Sequence, residues 1–171
     1  TFTHGANNKI TKEESSSVVN NLLTSKLGLV YQPVKHHSFY ASYADSFITN
    51  TGTDRNFKTL PASMIDQYEV GIKNEFFNNH LGVNVTGFLI NNDNVAQTDY
   101  SVTPTNFNIK ELAGSQRTKG VEIDITANYK GFRAMAGYSF TESKVVKSNI
   151  IQVGSVLRFF PKHTANASLF Y

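Results

Sequence analysis

The chain has 171 residues, a net charge of +3 and no cysteine, and 17% of its residues are charged. The lack of cysteine excludes a disulfide framework and a thiolate metal site. The small, dispersed positive charge does not support a nucleic-acid partner. No run of about 18 apolar residues occurs, so a transmembrane helix is also excluded.

Strict alternation of apolar and polar residues is the dominant pattern of the sequence. The alternating segments are close to about ten residues long, which is the length that a tilted membrane-spanning strand requires. In chain order the segments are residues 23–31, 38–44, 67–73, 81–89, 121–128, 132–140 and 163–171. None of them shows the spacing of three and four residues that marks an amphipathic helix. The pattern predicts an all-β fold, with the polar segment 1–21 as a further loop.

The connections between these segments alternate between short and long. Residues 32–37, 77–80 and 129–131 are short connections, whereas 47–63, 91–117 and 142–162 are long. An antiparallel up-and-down transmembrane β-barrel with short periplasmic turns and long outer loops has this asymmetry. Seven strands cannot close such a barrel, so residues 1–171 are expected to be an incomplete portion of a larger one.

The two faces of the predicted strands differ in charge. The polar faces carry Glu69, Lys73, Glu122, Asp124 and Arg133, whereas the apolar faces have no charge within a span. Lipid outside and a polar lumen inside would explain this division, with aromatic residues near the strand ends forming interfacial girdles. The alternative is a soluble β-sandwich binding module, in which Val121, Ile123 and Ile125 would be buried against a second sheet.

Catalytic or metal-binding chemistry has little support in the sequence. Glu122 and Asp124 lie on the same side of one strand, where a lumen wall needs polar residues in any case. His36 and His37 fall in a short turn without further convergent ligands. We therefore expect no enzyme activity, no catalytic residue and no protein-bound metal.

Three stretches resemble the TonB-dependent siderophore receptor family. They are residues 28–47, with Tyr-Ala-Ser-Tyr after a Pro-containing turn; 60–95, with Gln-Tyr-Glu-Val-Gly; and 116–145, with Arg-x-x-Gly-Val-Glu. The closing segment 160–171, with its Pro-x-His opening, is similar as well.

The resemblance implies a plugged barrel of about 22 strands, whose N-terminal plug domain and last strands are absent from residues 1–171. It also implies an outer-membrane receptor that binds a ferric siderophore at the cell surface and imports it with energy relayed through TonB. The expected partners are the ferric siderophore, TonB and outer-membrane lipid or lipopolysaccharide, around a monomeric barrel without a resident cofactor. Another substrate of such receptors (haem, cobalamin or a glycan) and a passive porin remain alternatives.

Ligand contacts are expected on the long outer loops and near the outer mouth of the lumen. Cationic and aromatic side chains suit an anionic iron–siderophore complex. The residues that fit this position are Arg55, Tyr100, Phe107 and Arg117.

Overall fold

The computed structural model describes residues 2–4, 10–13, 22–99, 109–149, 151–157 and 161–171. Nine strands lie within these ranges. They are β1 (Phe2–His4), β2 (Ile10–Glu13), β3 (Lys26–Val34), β4 (His37–Ile48), β5 (Ser63–Phe76), β6 (Leu81–Thr98), β7 (Lys110–Tyr129), β8 (Phe132–Ser148) and β9 (His163–Phe170). Strands β3 to β9 form one antiparallel sheet in chain order, and β1 and β2 form a separate hairpin inside the segment that was predicted to be a loop.

All seven predicted segments are strands, and each pairs with its neighbours in sequence, which confirms the predicted antiparallel architecture. The longest strands exceed the alternating segments: β6, β7 and β8 have 18, 20 and 17 residues. About 9–11 residues suffice to cross a membrane as a tilted strand, so these three strands continue well beyond a bilayer. Within the described ranges, no helix is long and apolar enough to cross a membrane.

The register of the sheet places the apolar residues of all seven strands on one side, here named the apolar face. One row across it joins Leu29, Ala41, Val70, Gly87, Val121 and Phe140, each paired with the next. The opposite side, the polar face, carries Glu69, Lys73, Asn84, Thr86, Glu122, Asp124 and Arg133.

The apolar face is uncovered by any other part of the described chain. Val121 remains 42% exposed and Ile125 39% exposed, and each described strand contacts only its neighbours along the chain. A soluble sandwich would bury these side chains against a second sheet. That alternative is therefore wrong, whereas a face of this kind suits contact with lipid.

Glycines on the polar face accommodate large side chains from neighbouring strands. The Tyr40 ring lies over Gly71, and the Tyr40 hydroxyl forms a hydrogen bond of 2.6 Å with Thr86 Oγ1 on β6. The Phe88 ring lies in the same way over Gly120, where an added Cβ would come within 2.6 Å of Phe88 Cζ. These contacts connect the four neighbouring strands β4 to β7 and fill the space that each glycine leaves.

The connections follow the predicted asymmetry. At one rim the turns comprise residues 35–36, 77–80 and 130–131, and at the other rim the connections are 49–62, 99–109 and 149–162. The short turns use left-handed backbone conformations, as at His36, Asn78 and Lys130 (φ +72°, +53° and +45°). Such conformations match the twist of the flanking strands in tight hairpins.

Alanine substitution at two polar-face glycines should destabilise the barrel to different degrees. Gly120→Ala should cost about 1–3 kcal/mol, because its Cβ would lie 2.3 Å from the Phe140 carbonyl oxygen, a backbone atom that cannot move aside easily. Gly71→Ala should have a smaller effect, since the mobile end of Tyr40 can shift. The measurement is the temperature at which the full-length receptor loses its folded mobility on unheated gels.

Gly28→Ala is the matched control, because a Cβ at this polar-face position meets nothing within 4 Å. Its unfolding temperature should stay close to that of the unchanged protein. Equal losses at Gly28 and Gly120 would contradict the proposed packing of aromatic rings over glycines.

Candidate ligand-binding site

The first outer loop, residues 49–62, folds across the outer ends of β5 and β6. The Asp99 amide at the end of β6 donates to the Ile109 carbonyl (3.0 Å). Because successive amides along a strand point in opposite directions, the amide of the following residue, Lys110, points away from β6. The Lys110 amide instead donates to the Thr53 carbonyl at 2.8 Å. The loop therefore reaches past two strands and pairs with the far edge of β7.

Asn50 fixes the base of this loop. Its Nδ2 donates to the carbonyl oxygens of Pro61 (2.6 Å) and Asn94 (3.0 Å), and its Oδ1 accepts a hydrogen bond of 3.2 Å from Ser63 Oγ. Asn94 itself has a left-handed backbone (φ +58°) at a register shift in β6. One side chain thus ties both ends of the loop to the neighbouring strand.

A small hydrophobic core supports the folded loop. Leu60, Ala62 and Ile109 are all buried, with exposures of 6–7%, whereas the spanning part of the sheet contains few buried residues. Burial of this kind gives the loop a defined shape in water, where apolar surface is otherwise unfavourable. The outer end of the sheet is therefore a structured surface.

Arg55 lies on this loop and pairs with Asp99 at the end of β6. Arg55 Nε is 2.5 Å from Asp99 Oδ2; the Arg55 side chain is 59% exposed, whereas that of Asp99 is 1% exposed. The hydrogen bond and the charge of Asp99 raise the pKa of Arg55 above its ordinary value. Arg55 is thus an accessible cation at the outer rim, held in place by a buried carboxylate.

The other predicted ligand residues are placed differently or are not described. Arg117 belongs to the apolar-face series of β7 and donates from Nε to Asn91 Oδ1 at 2.8 Å. It is therefore not brought together with Arg55. Tyr100 and Phe107 lie outside the described residues, and ligand contact by all four residues stays a prediction.

In the third outer loop, the described residues 151–157 lie along the edge of β8. The Val145 amide donates to the Ser155 carbonyl (3.0 Å), and the Leu157 amide donates to the Ser143 carbonyl (3.0 Å). Ser143 and Val145 are buried at 2% and 4% exposure. These loop residues pair with β8 beyond the part of β8 that pairs with β9. The outer end of β8 therefore has a hydrogen-bonded neighbour on both sides, β7 and the loop.

The polar face below these loops contains hydrogen-bonded side chains. Glu69 accepts hydrogen bonds from Gln67 Nε2 (2.6 Å) and Ser42 Oγ (3.3 Å). The Lys73 ammonium lies 5.4 Å from the centre of the Tyr40 ring, a separation at which a cation is attracted to the ring. This surface could contact a hydrated, polar or charged ligand.

The residues considered for catalysis or metal binding contact partners on neighbouring strands. Glu122 and Asp124 pair with Thr86 and Asn84 on β6. His36 and His37 diverge, with Nδ1 atoms contacting Glu75 Oε2 (3.2 Å) and Asn74 Oδ1 (2.8 Å). Across the described ranges, no three His, Cys, Asp or Glu residues converge in a way that could hold a metal ion.

Sequence reasoning missed Asn50 and Asp99, which hold the first outer loop. Asp99 is 44 residues away from Arg55 along the chain, so no local pattern links them. The turn at Asp54 could have been recognised, because Asp54 Oδ1 accepts hydrogen bonds of 2.8 Å from the amides of Asn56 and Lys58. Asp at the start of a turn is a common signal of this geometry.

A sheet with one lipid-compatible face, one polar face, short turns at one rim and structured loops at the other defines a wall segment of an outer-membrane β-barrel. Residues 1–171 match the family described as TonB dependent receptor-like, beta-barrel. The chain belongs to this family, which consists of transport receptors of the bacterial outer membrane and not of enzymes.

Individual relatives support the same assignment. The chain is 27% identical to the metal-pseudopaline receptor CntO of Pseudomonas aeruginosa over 161 residues, covering 94% of this chain and 22% of that protein. It is 32% identical to the ferripyoverdine receptor of the same organism over 122 residues, covering 66% of this chain and 15% of the relative. The chain thus spans about a fifth or less of the length of these relatives.

The crystal structure of the ferripyoverdine receptor of the P. aeruginosa outer membrane, bound to ferripyoverdine, superimposes with a TM-score of 0.69 at 27% identity. The match covers 84% of this chain and 19% of that structure. This likeness, together with the family match, confirms the predicted barrel architecture and its outer-membrane location.

Replacing Asn50 with alanine should loosen the first outer loop. The change removes two hydrogen bonds to carbonyl oxygens and one from Ser63, each typically contributing about 0.5–1.5 kcal/mol. Limited proteolysis of the full-length receptor should therefore cleave residues 49–62 several-fold faster, while the spanning sheet stays folded.

Asn56→Ala is the matched control in the same loop, because the exposed Asn56 side chain takes no part in the Asn50 contacts. Its cleavage rate should remain near that of the unchanged receptor. Cleavage of the Asn50 variant at the unchanged rate would show that the loop is held by other contacts.

Proposed function

We propose that this chain is part of a receptor that binds a ferric siderophore at the cell surface and imports it by TonB-dependent active transport. The observation that carries the proposal is the likeness of the chain to the ferripyoverdine receptor in both sequence and fold. Further support comes from the relatives named as ferric-pyoverdine and ferrioxamine B receptors. The iron complex would be cargo, not a resident cofactor.

Arg55 is the described residue best placed to meet an anionic complex. Its guanidinium is exposed at the outer rim, and its orientation is fixed by Asp99 and by the folded loop. A cation fixed in advance loses less conformational freedom when a ligand binds. The Asp99 carboxylate partly neutralises it, so Arg55 would contribute through orientation and hydrogen bonding as well as charge.

The remaining components of the proposal concern the rest of the receptor. A plug domain inside the lumen and a segment that contacts TonB would lie outside residues 1–171, and the barrel would act as a monomer surrounded by outer-membrane lipid and lipopolysaccharide. The polar face would line the lumen beside the plug, because its charged side chains suit contact with water and polar protein surface.

A second candidate is import of another metal chelate. It is favoured by the likeness to CntO, which is named a metal-pseudopaline receptor and matches over 94% of this chain. Haem, cobalamin, a glycan and passive porin transport remain weaker alternatives, because no described feature favours them.

Uptake of labelled ferric siderophores by iron-starved cells tests the proposal. Deleting the full-length gene should abolish uptake of one siderophore class among hydroxamates, catecholates and carboxylates, and the restored gene should return it. Collapse of the proton gradient should stop uptake through the restored receptor, which distinguishes active transport from a porin. Unchanged uptake of all three classes would contradict a ferric-siderophore function, and loss of uptake of another metal's chelate would favour the second candidate.

Arg55→Gln should weaken binding of the transported complex about three- to tenfold, since one charge-assisted hydrogen bond is lost. Equilibrium binding to the full-length receptor measures this change. Lys58→Gln removes one positive charge from the same loop and should leave affinity nearly unchanged. Because Arg55 also supports the loop, Asn50→Ala provides the second comparison: equal losses in the Arg55 and Asn50 variants would assign the effect to loop order.

A further inference from the structure

The outer ends of β6 and β7 extend beyond their neighbours as a two-stranded ribbon, here named the outer ribbon and comprising residues 94–99 and 109–113. The outermost described pair between β5 and β6 joins Met64 to Asp93, and that between β7 and β8 joins Gly114 to Ser148. Both edges of the outer ribbon therefore lie beyond the neighbouring strands. A two-stranded hairpin alone is at best marginally stable in water, so the outer ribbon needs contacts from elsewhere in the chain.

Backbone irregularities separate the outer ribbon from the spanning part of the sheet. The register between β6 and β7 shifts between Asn92 and Val95 and again between Val95 and Ala96. Asn94 has a left-handed φ of +58°, and Gly114 has a φ of +128°, which residues with a side chain rarely adopt. Bulges of this kind bend a strand and disrupt its ladder locally. The regular ladder of the spanning sheet is thus interrupted where the outer ribbon begins.

Residues 50–55 of the first outer loop, here named the clasp, contact the outer ribbon at four points. The four contacts are Asn50 Nδ2 to the Asn94 carbonyl (3.0 Å), Lys110 Nζ to Thr51 Oγ1 (3.1 Å), the Lys110 amide to the Thr53 carbonyl (2.8 Å) and Arg55 Nε to Asp99 Oδ2 (2.5 Å). They reach both strands of the outer ribbon, from its base to its outer end. The clasp therefore supplies hydrogen bonds where the neighbouring strands have ended.

Burial makes these contacts depend on one another. Asp99 and Ile109 of the outer ribbon, and Leu60 and Ala62 beside the clasp, have exposures between 2% and 7%. Opening of the clasp would expose this apolar surface and the Asp99 carboxylate to water. A buried carboxylate needs compensating charge and hydrogen bonds, and Arg55 supplies both from the clasp. Loss of one contact therefore weakens the others.

We propose that the clasp and the outer ribbon form one cooperative unit that opens and closes as a whole. In the closed state the clasp completes the edge of the outer ribbon, and the ribbon supplies the buried carboxylate that orients Arg55. A contact that stabilises either part must then stabilise the other, because coupling between two sites is reciprocal. The first outer loop and the ends of the second respond together to whatever engages either of them.

This unit is a property of the fold and goes beyond the import of a ferric siderophore. It holds whichever substrate the receptor carries. Its consequence for a ligand is that Arg55 has a fixed position only while the outer ribbon is closed.

Independent opening of each outer loop is the alternative. It would require each loop to have its own supporting contacts, as residues 151–157 of the third outer loop have along β8. No described hydrogen bond joins residues 151–157 to the clasp or to the outer ribbon. The third outer loop is therefore an internal reference whose opening should be separate.

Hydrogen–deuterium exchange of the full-length receptor in detergent, followed by mass spectrometry, tests the proposal. Asn50→Ala should accelerate exchange of outer-ribbon amides, such as those of Asp99 and Lys110, at least about tenfold, because the clasp loses the hydrogen bonds of Asn50. Clasp and ribbon amides should accelerate by the same factor, since all of them exchange through one opening.

A substitution in the outer ribbon tests the reverse direction. Ile109→Ala removes buried apolar surface and should accelerate exchange in the clasp as much as in the ribbon, because both depend on the same buried contacts. Should Asn50→Ala fail to fold, this variant decides the question alone.

Two matched controls should leave exchange in the clasp and the outer ribbon unchanged. Asn56→Ala shortens an exposed side chain in the same loop. Val153→Ala removes apolar surface from the third outer loop at a position that is 57% exposed. Amides of residues 151–157 should also exchange in the Asn50 and Ile109 variants as they do in the unchanged receptor.

Two results would overturn the proposal. Faster exchange confined to the substituted segment, with the other segment unchanged, would show that the two parts open independently. Equal acceleration in residues 151–157 and in the spanning strands would show a general loss of stability instead of one local unit. The exchange measurement needs no transported ligand, so failure of the cooperative unit and failure of the import proposal are distinguishable.

Discussion

The pairing of backbone polar groups in hydrocarbon is the constraint on which this structure depends. An unpaired N–H or C=O in lipid costs several kcal/mol, so every spanning residue must belong to a continuous ladder. In β3 to β9 that ladder runs unbroken through the alternating segments, and its register shifts lie near the ends of strands, as between Asn92 and Val95. Once the ladder is fixed, alternation decides which side chains face the membrane. The two faces and the aromatic rings over Gly71 and Gly120 follow from that register.

The same constraint explains which parts of the fold could be predicted from sequence. Inside the bilayer one face must be apolar, so Val121, Ile123 and Ile125 show a clear period of two. Beyond the bilayer both faces of the sheet meet water, so the alternation of apolar and polar residues disappears. β7 nevertheless extends outward as far as Lys110. The seven predicted strands of the main sheet were therefore correct in order, but β4 to β8 were predicted too short at their outer ends. The hairpin of β1 and β2, in a polar segment without alternation, was missed for the same reason.

The outer surface was less predictable because distant residues determine it. Arg55 could be recognised as a cation in a loop, but its orientation depends on Asp99, 44 residues later. Asn50 shows no local pattern, yet it joins a loop and two strands. Arg117 illustrates the opposite problem. Its side of the sheet could be read from alternation with Val121, whereas its place at the end of the long connection 91–117 suggested the outer mouth. Composition identifies residues capable of contact, and only the register and the loop fold decide what they face.

The unequal rims of the sheet have a consequence for how such a protein can diversify. Tight turns at residues 35–36 and 130–131 fix the offset between neighbouring strands. An inserted or deleted residue there would move the side chains of one strand to the opposite face of the sheet. The connections at the other rim join strands whose register is already set by the ladder. Insertions, deletions or wholesale exchange of those segments leave the spanning wall intact. Natural variation can therefore accumulate at the outer rim, while the wall that holds the protein in the membrane stays constant.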